Sequence, residues 1–286
     1  MATSNEEIQL LKLLKSGYFN NALLAQNIAE GLGINLLDLL KPYNCLLPSS
    51  KPTFNPTIED YCQLFASTKL NWSNSKRSQI PAQLTELQSL EHLNLSNNAF
   101  TSVDSSLLKI ASLQYLNLNK NRLQSIPKTL ENWSNLKAPH LADNLLTELP
   151  NTVKHWQGLE DLDLSRNQLQ TLPTTIGYWS ELQHLHLVKN NLLYLPDEIE
   201  GWHALELLDL SYNQIQELPP SIGALQHLRR LDLTYNPIES FPDEIGTLLL
   251  LEELVLYKVP ISEAEHQRLA RLLPHTKIKF NFDYFF

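Results

Sequence analysis

The sequence predicts an α/β fold in which 23-residue units stack between a helical amino-terminal cap and a carboxyl-terminal cap of one helix and one strand. Each unit combines a strand-like and a helix-like spacing of apolar residues. A single unit cannot cover its apolar face, so stacking against the next unit must bury it. The step of 23 is set by one recurring leucine, at Leu90, Leu113, Leu136, Leu159, Leu182, Leu205, Leu228 and Leu251.

Residues 159–181 show how one unit divides into a strand and a helical turn. Leu162 and Leu164 have the two-residue period of a strand, and a short polar segment then turns the chain. Pro173 ends any return to extended pairing. A wider apolar spacing follows, which favours a helical or 3₁₀ turn on the opposite side. That spacing is set by Leu172, Ile176 and Trp179.

Two other residue types, an asparagine and a tryptophan, also recur every 23 residues, and we expect both to stabilise the fold and not to bind a ligand. A buried amide is costly unless its donors and acceptor are used, so we expect the asparagines to bond the turn backbones of successive units. They are Asn98, Asn121, Asn144, Asn167, Asn190, Asn213 and Asn236. An aromatic column could form a platform for a sugar or cofactor, but its register favours packing between units on the convex side. It consists of Trp133, Trp156, Trp179 and Trp202.

The units resemble the leucine-rich-repeat family, in the class written L-x-x-L-x-L-x-x-N-x-L-x-x-L-P-x-x-I-G-x-L. The match covers residues 90–250 as seven full units, with degenerate units on both sides. The resemblance implies a curved leucine-rich-repeat solenoid with a parallel β-sheet on its concave face. It also implies a protein partner bound on that face, although the repeat specifies a fold far more closely than a function.

We predict three parts: a helical cap at 1–66, repeats at 67–259, and a carboxyl-terminal cap at 260–286. Ser4 and Glu7 form a capping box for a helix to about Ser16, which Gly17 can close. Further helices are expected at 20–31 and 58–67, with a proline-marked irregular crossing between them: Pro42, Pro48, Pro52 and Pro56. The first repeat is degenerate, with Ser75 where asparagine belongs.

At the other end, a helix capped by Ser262 and Glu265 and stopped by Pro274 precedes a segment of alternating apolar residues, which predicts one more strand. These elements would cover the last unit. The alternative is that the aromatic tail docks on a second chain through Tyr284, Phe285 and Phe286. Within the stack, Pro139 replaces a strand leucine and has no N–H to donate, so we expect a local irregularity there.

Strands about 4.8 Å apart would align the residues that flank the strand leucines into columns on the concave face. We predict that a partner contacts this face, chiefly its carboxyl half, because Tyr and Arg are frequent interface anchors. The alternative is a merely solvated face. The predicted contacts in the central column are His140, Asp163, His186, Asp209 and Asp232, and those at the strand starts are Tyr115, Asp161, His184 and Arg230. Those on the far side are Arg166, Lys189, Tyr212, Tyr235 and Lys258. Toward the carboxyl end we expect Tyr212, Tyr235 and Tyr257 on adjacent strands, joined by Arg229 and Arg230.

Charge and motif content narrow the function. The formal charge of -9 disfavours nucleic acid and anionic lipid as partners. No phosphate loop, nucleophile elbow or paired metal-binding His motif occurs, so we expect neither catalysis nor a cofactor. His140, Asp163, His186 and Asp209 alternate along the face, which could indicate a metal site or pH-dependent binding. Successive strands of an open sheet hold such side chains too far apart to converge on one ion, so no metal site is predicted.

The sequence also carries expectations about location and assembly. The amino terminus lacks the basic start and unbroken apolar run of a secretory signal, and no run of about 18 apolar residues predicts a membrane span. Two cysteines fit a reducing compartment, so we expect a cytoplasmic protein. We expect a monomeric interaction module. The alternative is a structural subunit that assembles through its capped ends.

Overall fold

The computed structural model describes residues 4–47, 56–104 and 106–280. Over these residues the strands form a single parallel sheet in which each strand pairs with the next one along the chain. One apolar core runs from the amino-terminal helices through the repeats to the last helix. The predicted parallel sheet and repeat stack are confirmed, whereas the boundaries at 66 and 259 stay predictions.

The strands are three residues long and repeat at the predicted step. They are β1 Lys69–Asn71, β2 His92–Asn94, β3 Tyr115–Asn117, β4 Ala138–His140, β5 Asp161–Asp163, β6 His184–His186, β7 Leu207–Asp209, β8 Arg230–Asp232, β9 Glu253–Val255 and β10 Lys277–Lys279. Wherever three residue pairs join neighbouring strands, the middle strand residue faces its equivalent in the next unit. This residue points into the core, which leaves its two neighbours on the open face of the sheet.

The opposite side of each unit is a short 3₁₀ helix, as the wider apolar spacing predicts. These helices are Ala82–Glu86, Leu107–Lys109, Glu131–Trp133, Asn151–His155, Thr174–Tyr178, Asp197–Gly201, Pro220–Ala224 and Asp243–Thr247. An α-helix is about 10 Å across, twice the spacing of strands, so a compact turn lets the units stack more closely. A Cβ on Gly201 would overlap the Gly177 carbonyl, so these turns meet backbone to backbone.

The asparagine column bonds successive units, as predicted. Asn167 Oδ1 accepts from Leu146 N at 3.0 Å in the preceding unit, and its Nδ2 donates to Leu141 O at 3.0 Å. The same Nδ2 donates to Leu164 O within its own unit at 2.9 Å. Each buried amide therefore fixes a turn and ties it to its neighbour.

The tryptophan column packs inside the convex side, as predicted. The rings of Trp156 and Trp179 stack with centroids 6.4 Å apart, and those of Trp179 and Trp202 stack at 6.5 Å. Trp179 Nε1 donates to Val153 O at 2.9 Å. These side chains are buried, so they offer no platform to a ligand.

The described residues of the amino-terminal cap form four α-helices, of which three were predicted. They are α1 Asn5–Lys15, α2 Phe19–Leu32, α3 Leu36–Leu40 and α4 Ile58–Ala66, with a 3₁₀ helix at Lys41–Leu46. The Ser4 and Glu7 capping box begins α1. Helix α3 was not predicted, because five residues are too few to show a helical period. The predicted crossing at Pro48 and Pro52 lies outside the described residues.

Two glycines in the cap adopt left-handed backbone conformations. Gly17 follows α1 with φ +73, and a Cβ there would lie 2.9 Å from Ala66. Gly33 ends α2 with φ +67, so the helix runs slightly past the predicted end at Gly31. Glycine suits both positions because it has no Cβ to strain the left-handed conformation.

The carboxyl-terminal cap has the predicted helix and strand, with one correction. In α5 Glu263–Leu272, Ser262 Oγ accepts from Glu265 N at 3.1 Å. The Glu265 carboxylate does not cap the helix: it accepts from Phe241 N at 2.9 Å, which ties α5 to the last full repeat. Strand β10 then covers the edge of β9. Tyr284, Phe285 and Phe286 lie outside the described residues.

The predicted irregularity at Pro139 is confirmed. Only His140 and Asp163 pair between β4 and β5, whereas every other neighbouring pair of described strands keeps three residue pairs. Proline occupies the middle strand position, which normally donates an N–H to the next strand.

Candidate binding surface

The central column lies in register on the open face of the sheet. His140 pairs with Asp163, His186 with Asp209, and Asp209 with Asp232 on successive strands. His140, Asp163, His186 and Asp209 are half-buried, while Asp232 is buried. The predicted placement of these residues on one row is therefore correct, but their contact with a partner stays a prediction.

The aspartates of this row also have a structural role that the sequence analysis missed. Asp163, Asp209 and Asp232 each accept a hydrogen bond at 3.0 Å from the backbone N–H two residues on. Asn94 and Asn117 do the same. Asn and Asp commonly make this turn, and the recurring Asn/Asp-x-polar pattern was the available signal. These side chains shape the turn after each strand.

Histidines interrupt this pattern at two positions of the row, His140 and His186. The His140 ring lies 5.2 Å from that of Tyr115, which in turn lies 5.8 Å from His92. Nearby, His184 Nδ1 lies 3.5 Å from Asp161 Oδ2. Among the described residues, no three His, Cys, Asp or Glu side chains converge as metal ligands would.

Two of the three predicted arginine contacts, Arg229 and Arg230, already form ion pairs within the sheet. Arg229 lies just before β8 and pairs with Glu252 at 2.6 Å and Glu206 at 3.8 Å. Arg230 pairs with Glu253, whose carboxyl pKa is held below its usual value by a hydrogen bond from Lys279 and by the charge of Arg230. The prediction that Arg229 joins the tyrosines is wrong, because Tyr235 lies beyond the opposite end of β8.

A second row follows the strands at the edge of the face, and every residue in it has a left-handed backbone. This row, here called the rim, consists of Asn74, Asn97, Lys120, Asp143, Arg166, Lys189, Tyr212, Tyr235 and Lys258, with φ between 53 and 60. Such φ values are uncommon outside glycine. From Asn74 to Tyr235, the N–H of each rim residue donates to the next unit, as from Tyr212 to Thr234 O at 2.7 Å, which fixes the conformation.

Tyr212 and Tyr235 belong to the rim, just beyond the ends of β7 and β8, and do not lie on the strands themselves, which corrects the prediction. The rings of Tyr212 and Tyr235 stack with centroids 4.5 Å apart, and each side chain is 44% exposed. Lys189 Nζ lies 5.1 Å from the Tyr212 ring centroid. Tyr257 precedes the rim residue Lys258 and lies outside this stack. The rim thus presents two aromatic rings and a cation together.

A cleft opens beside the stacked tyrosines. Its volume is about 300 Å³, and it is lined by Tyr235, Asn236, Pro237, Lys258 and Pro260. Pro237 and Pro260 occupy equivalent positions in consecutive units, where the other repeats carry different residues. This cleft was not predicted, although two prolines one repeat apart could have indicated it.

The amino-terminal cap offers a second apolar surface, which the sequence analysis also missed. Four apolar side chains on α2 are 40% to 52% exposed: Leu23, Leu24, Ile28 and Leu32. A cavity of about 590 Å³ lies among residues of α2, α3 and α4. Burial raises the pKa of the Cys62 thiol, which lines it, and of the Cys45 thiol. Neither thiol is therefore activated as a nucleophile.

Comparison with known families places repeats along most of the chain. A model described as a leucine-rich repeat region matches residues 179–279. A second leucine-rich-repeat model matches residues 111–169 and 134–193, and a third matches residues 89–109. No curated protein sequence matches the chain significantly. Among the described helices, none is both long and apolar enough to cross a membrane.

Solved structures with a similar fold are numerous, so the fold alone does not select a function. A leucine-rich-repeat protein of Leptospira interrogans is 30% identical, with a TM-score of 0.50 over 79% of this chain and 69% of that one. TLR13, in its complex with ssRNA13, is 27% identical with a TM-score of 0.58. That similarity covers 63% of this chain and only 26% of TLR13.

Proposed function

Because the chain belongs to the leucine-rich-repeat family, we propose that it is a non-catalytic module that binds a protein partner on its concave face. The family and the fold are those of protein-interaction modules. The observation that carries the proposal is the exposed stack of Tyr212 and Tyr235 with Lys189 beside it. Exposed tyrosines held in a fixed geometry lose little conformational entropy on binding and are frequent interface anchors.

We expect the predicted contact residues to contribute unequally to the affinity for the partner. Asp163, Asp209 and Asp232 serve the turns, and Arg229 and Arg230 are paired within the sheet, so we give them secondary roles. The rim residues carry the main contact. They are Arg166, Lys189, Tyr212, Tyr235 and Lys258.

The test is affinity capture from the native cell with three forms of the chain. The double substitution Tyr212→Ala with Tyr235→Ala should lose proteins that the wild-type chain captures, because it removes both anchors. Tyr178→Ala is the matched control, since Tyr178 is 59% exposed on the convex side. Equal capture by all three forms, with unchanged melting temperatures, would refute binding at the rim.

Single-stranded RNA is a competing ligand, because TLR13 is found in complex with ssRNA13. Cations and tyrosines on the rim are compatible with stacked bases. A nucleic acid carries a phosphate at every nucleotide, whereas the protein has a formal charge of -9 and the rim from Arg166 to Lys258 offers three cations, so we favour a protein. Nuclease treatment before capture separates the two: loss of all captured material would favour RNA.

A second candidate function is that of a structural subunit that assembles through its ends. The observation that favours it is the exposed apolar surface of α2, since large apolar patches often mark interfaces. Sedimentation over a range of concentrations tests it. A mass that rises with concentration in the wild type, but not in Leu24→Glu with Ile28→Glu, would support assembly through the cap, whereas a constant mass would exclude it.

We also propose that the protein works in the cytoplasm. The support is chemical: Cys45 and Cys62 are both unpaired thiols, which suits a reducing compartment. Fractionation of the native cell, with the chain detected by antibody, checks the location. Recovery outside the cytoplasmic fraction would contradict it.

A further inference from the structure

The rim toward the carboxyl end combines cations, stacked rings and an apolar cleft in one line. We propose, on the basis of the proposed function, that the rim from Arg166 to Lys258 binds an extended segment of the partner protein. This segment is acidic and contains a proline. The segment would run along the rim, across successive units. Its acidic residues would meet the basic rim residues, and its proline would meet the tyrosines.

The charge of the rim selects an acidic segment. Arg166, Lys189 and Lys258 are the charged members of this stretch, and all three are basic. Asp143, one unit earlier, lies 3.8 Å from Arg166 and marks where the basic stretch begins. The Lys189 ammonium is held over the Tyr212 ring. A carboxylate placed there would meet a cation whose position is already fixed, which favours charge-assisted bonding.

The tyrosine stack and the cleft select a proline. Aromatic-lined grooves bind polyproline II segments because the rigid proline ring packs against aromatic faces and little conformational entropy is lost. Tyr235 forms one wall of the cleft, while Pro237 and Pro260 supply apolar surface without donors. A flexible polar residue would gain little from such a lining.

The spacing of the rim matches an extended segment of this kind. Rim residues two units apart, such as Lys189 and Tyr235, are separated along the stack by about 9.6 Å, since strands lie about 4.8 Å apart. One turn of a polyproline II helix spans three residues and about 9.3 Å. An acidic residue over Lys189 would therefore place the third residue along over Tyr235.

The backbone gives an independent reason to assign the rim to binding. Glycine and asparagine tolerate a left-handed backbone best, yet this stretch carries Arg166, Lys189, Tyr212, Tyr235 and Lys258. The needs of the turn do not explain these side chains. Strained positions that hold large side chains are a basis for inferring function.

The test uses the full chain, immobilised, and degenerate peptide libraries of equal length. In the first library an acidic residue precedes a proline by three positions. In the second the proline is glycine, and in the third the acid is lysine. We expect the first library to be retained at least about tenfold more strongly than the other two, equivalent to one interface anchor. Equal retention of the three libraries would overturn the proposal.

Two variants locate the binding. Arg166→Glu with Lys189→Glu should reverse the preference, so that the lysine library exceeds the acidic one. Tyr212→Asn with Tyr235→Asn should lose the preference for proline without a lower melting temperature, because asparagine accepts the left-handed backbone. A preference that survives both double substitutions would place the binding elsewhere and overturn the assignment.

The outcome is distinguishable from failure of the proposed function. One outcome is that capture from the cell depends on Tyr212 and Tyr235 while the three peptide libraries are retained equally. In that case a protein binds the rim, but not through an acidic segment that contains proline. If the libraries are discriminated but capture does not depend on these tyrosines, the concave-face function fails for the cellular partner. A single-stranded RNA probe retained more strongly than every library would overturn both.

Discussion

Two rows of side chains run side by side along the concave face, and they are held in place by different means. In the central row, Asp163, Asp209 and Asp232 accept hydrogen bonds from the turns that follow their strands. In the rim, the backbone is fixed by a hydrogen bond to the next unit, and the side chain is not needed for it. The central row therefore contributes to the fold, whereas the rim is the part of the face that we propose to bind the partner.

The largest expected contrast lies between two residues that are adjacent in sequence, Lys189 and Asn190. Asn190→Ala should lower the free energy of unfolding by about 2–4 kcal/mol, because it leaves several buried backbone groups without partners. Lys189→Ala, its matched control, should change it by less than about 0.5 kcal/mol. Chemical denaturation with a two-state check measures both, and similar values would erase the distinction between scaffold and rim.

A smaller effect is expected in the central row itself. Asp209 accepts from Ser211 N at 3.0 Å and from Ser211 Oγ at 2.7 Å, so Asp209→Ala should cost about 1–2 kcal/mol. Asp209→Asn keeps an acceptor and should retain most of the stability. If alanine and asparagine behave alike in denaturation, the aspartate does not serve the turn and its charge becomes a candidate for binding.

The rim should respond in the opposite direction. Lys120 has φ +56, so Lys120→Gly removes backbone strain and should raise the free energy of unfolding by about 0.5–1 kcal/mol. Lys128→Gly is the control, because Lys128 is exposed and does not have a left-handed backbone. Thermal unfolding of both compares them, and a loss of stability in Lys120→Gly would show that its side chain supports the fold.

The repeat could be predicted because its period is written directly in the leucines, and the register of β5 and β6 follows from it. The structural role of Asp163 was harder to predict, since a carboxylate on the open face of a sheet does not by itself indicate that it accepts a hydrogen bond from the following turn. The rim conformation is not encoded by residue type, because Lys, Arg and Tyr do not favour positive φ. It follows instead from hydrogen bonds between units, which only the stacked structure supplies.

The smallest expected effect concerns acid stability at the carboxyl-terminal end of the sheet, where Glu253 begins β9. Lys279 and Arg230 hold the pKa of the Glu253 carboxyl below its ordinary value of 4.5. A lowered pKa in the folded state means that the contribution is present above that ordinary value and is lost as the pH falls through the folded pKa. The pair is near the surface and screened by solvent, so the contribution is small.

The variant that tests this contribution is Glu253→Gln. Its melting temperature should lie slightly below that of the wild type at neutral pH, and the two should converge in strong acid, where Glu253 is protonated. Glu252→Gln is the control. Glu252 is the residue before Glu253, it pairs with Arg229, and its side chain is more exposed than that of Glu253. A gap that persists unchanged in acid would mean that Glu253 stabilises β9 and β10 by packing, so that this end of the sheet is stabilised by side-chain packing and not by charge.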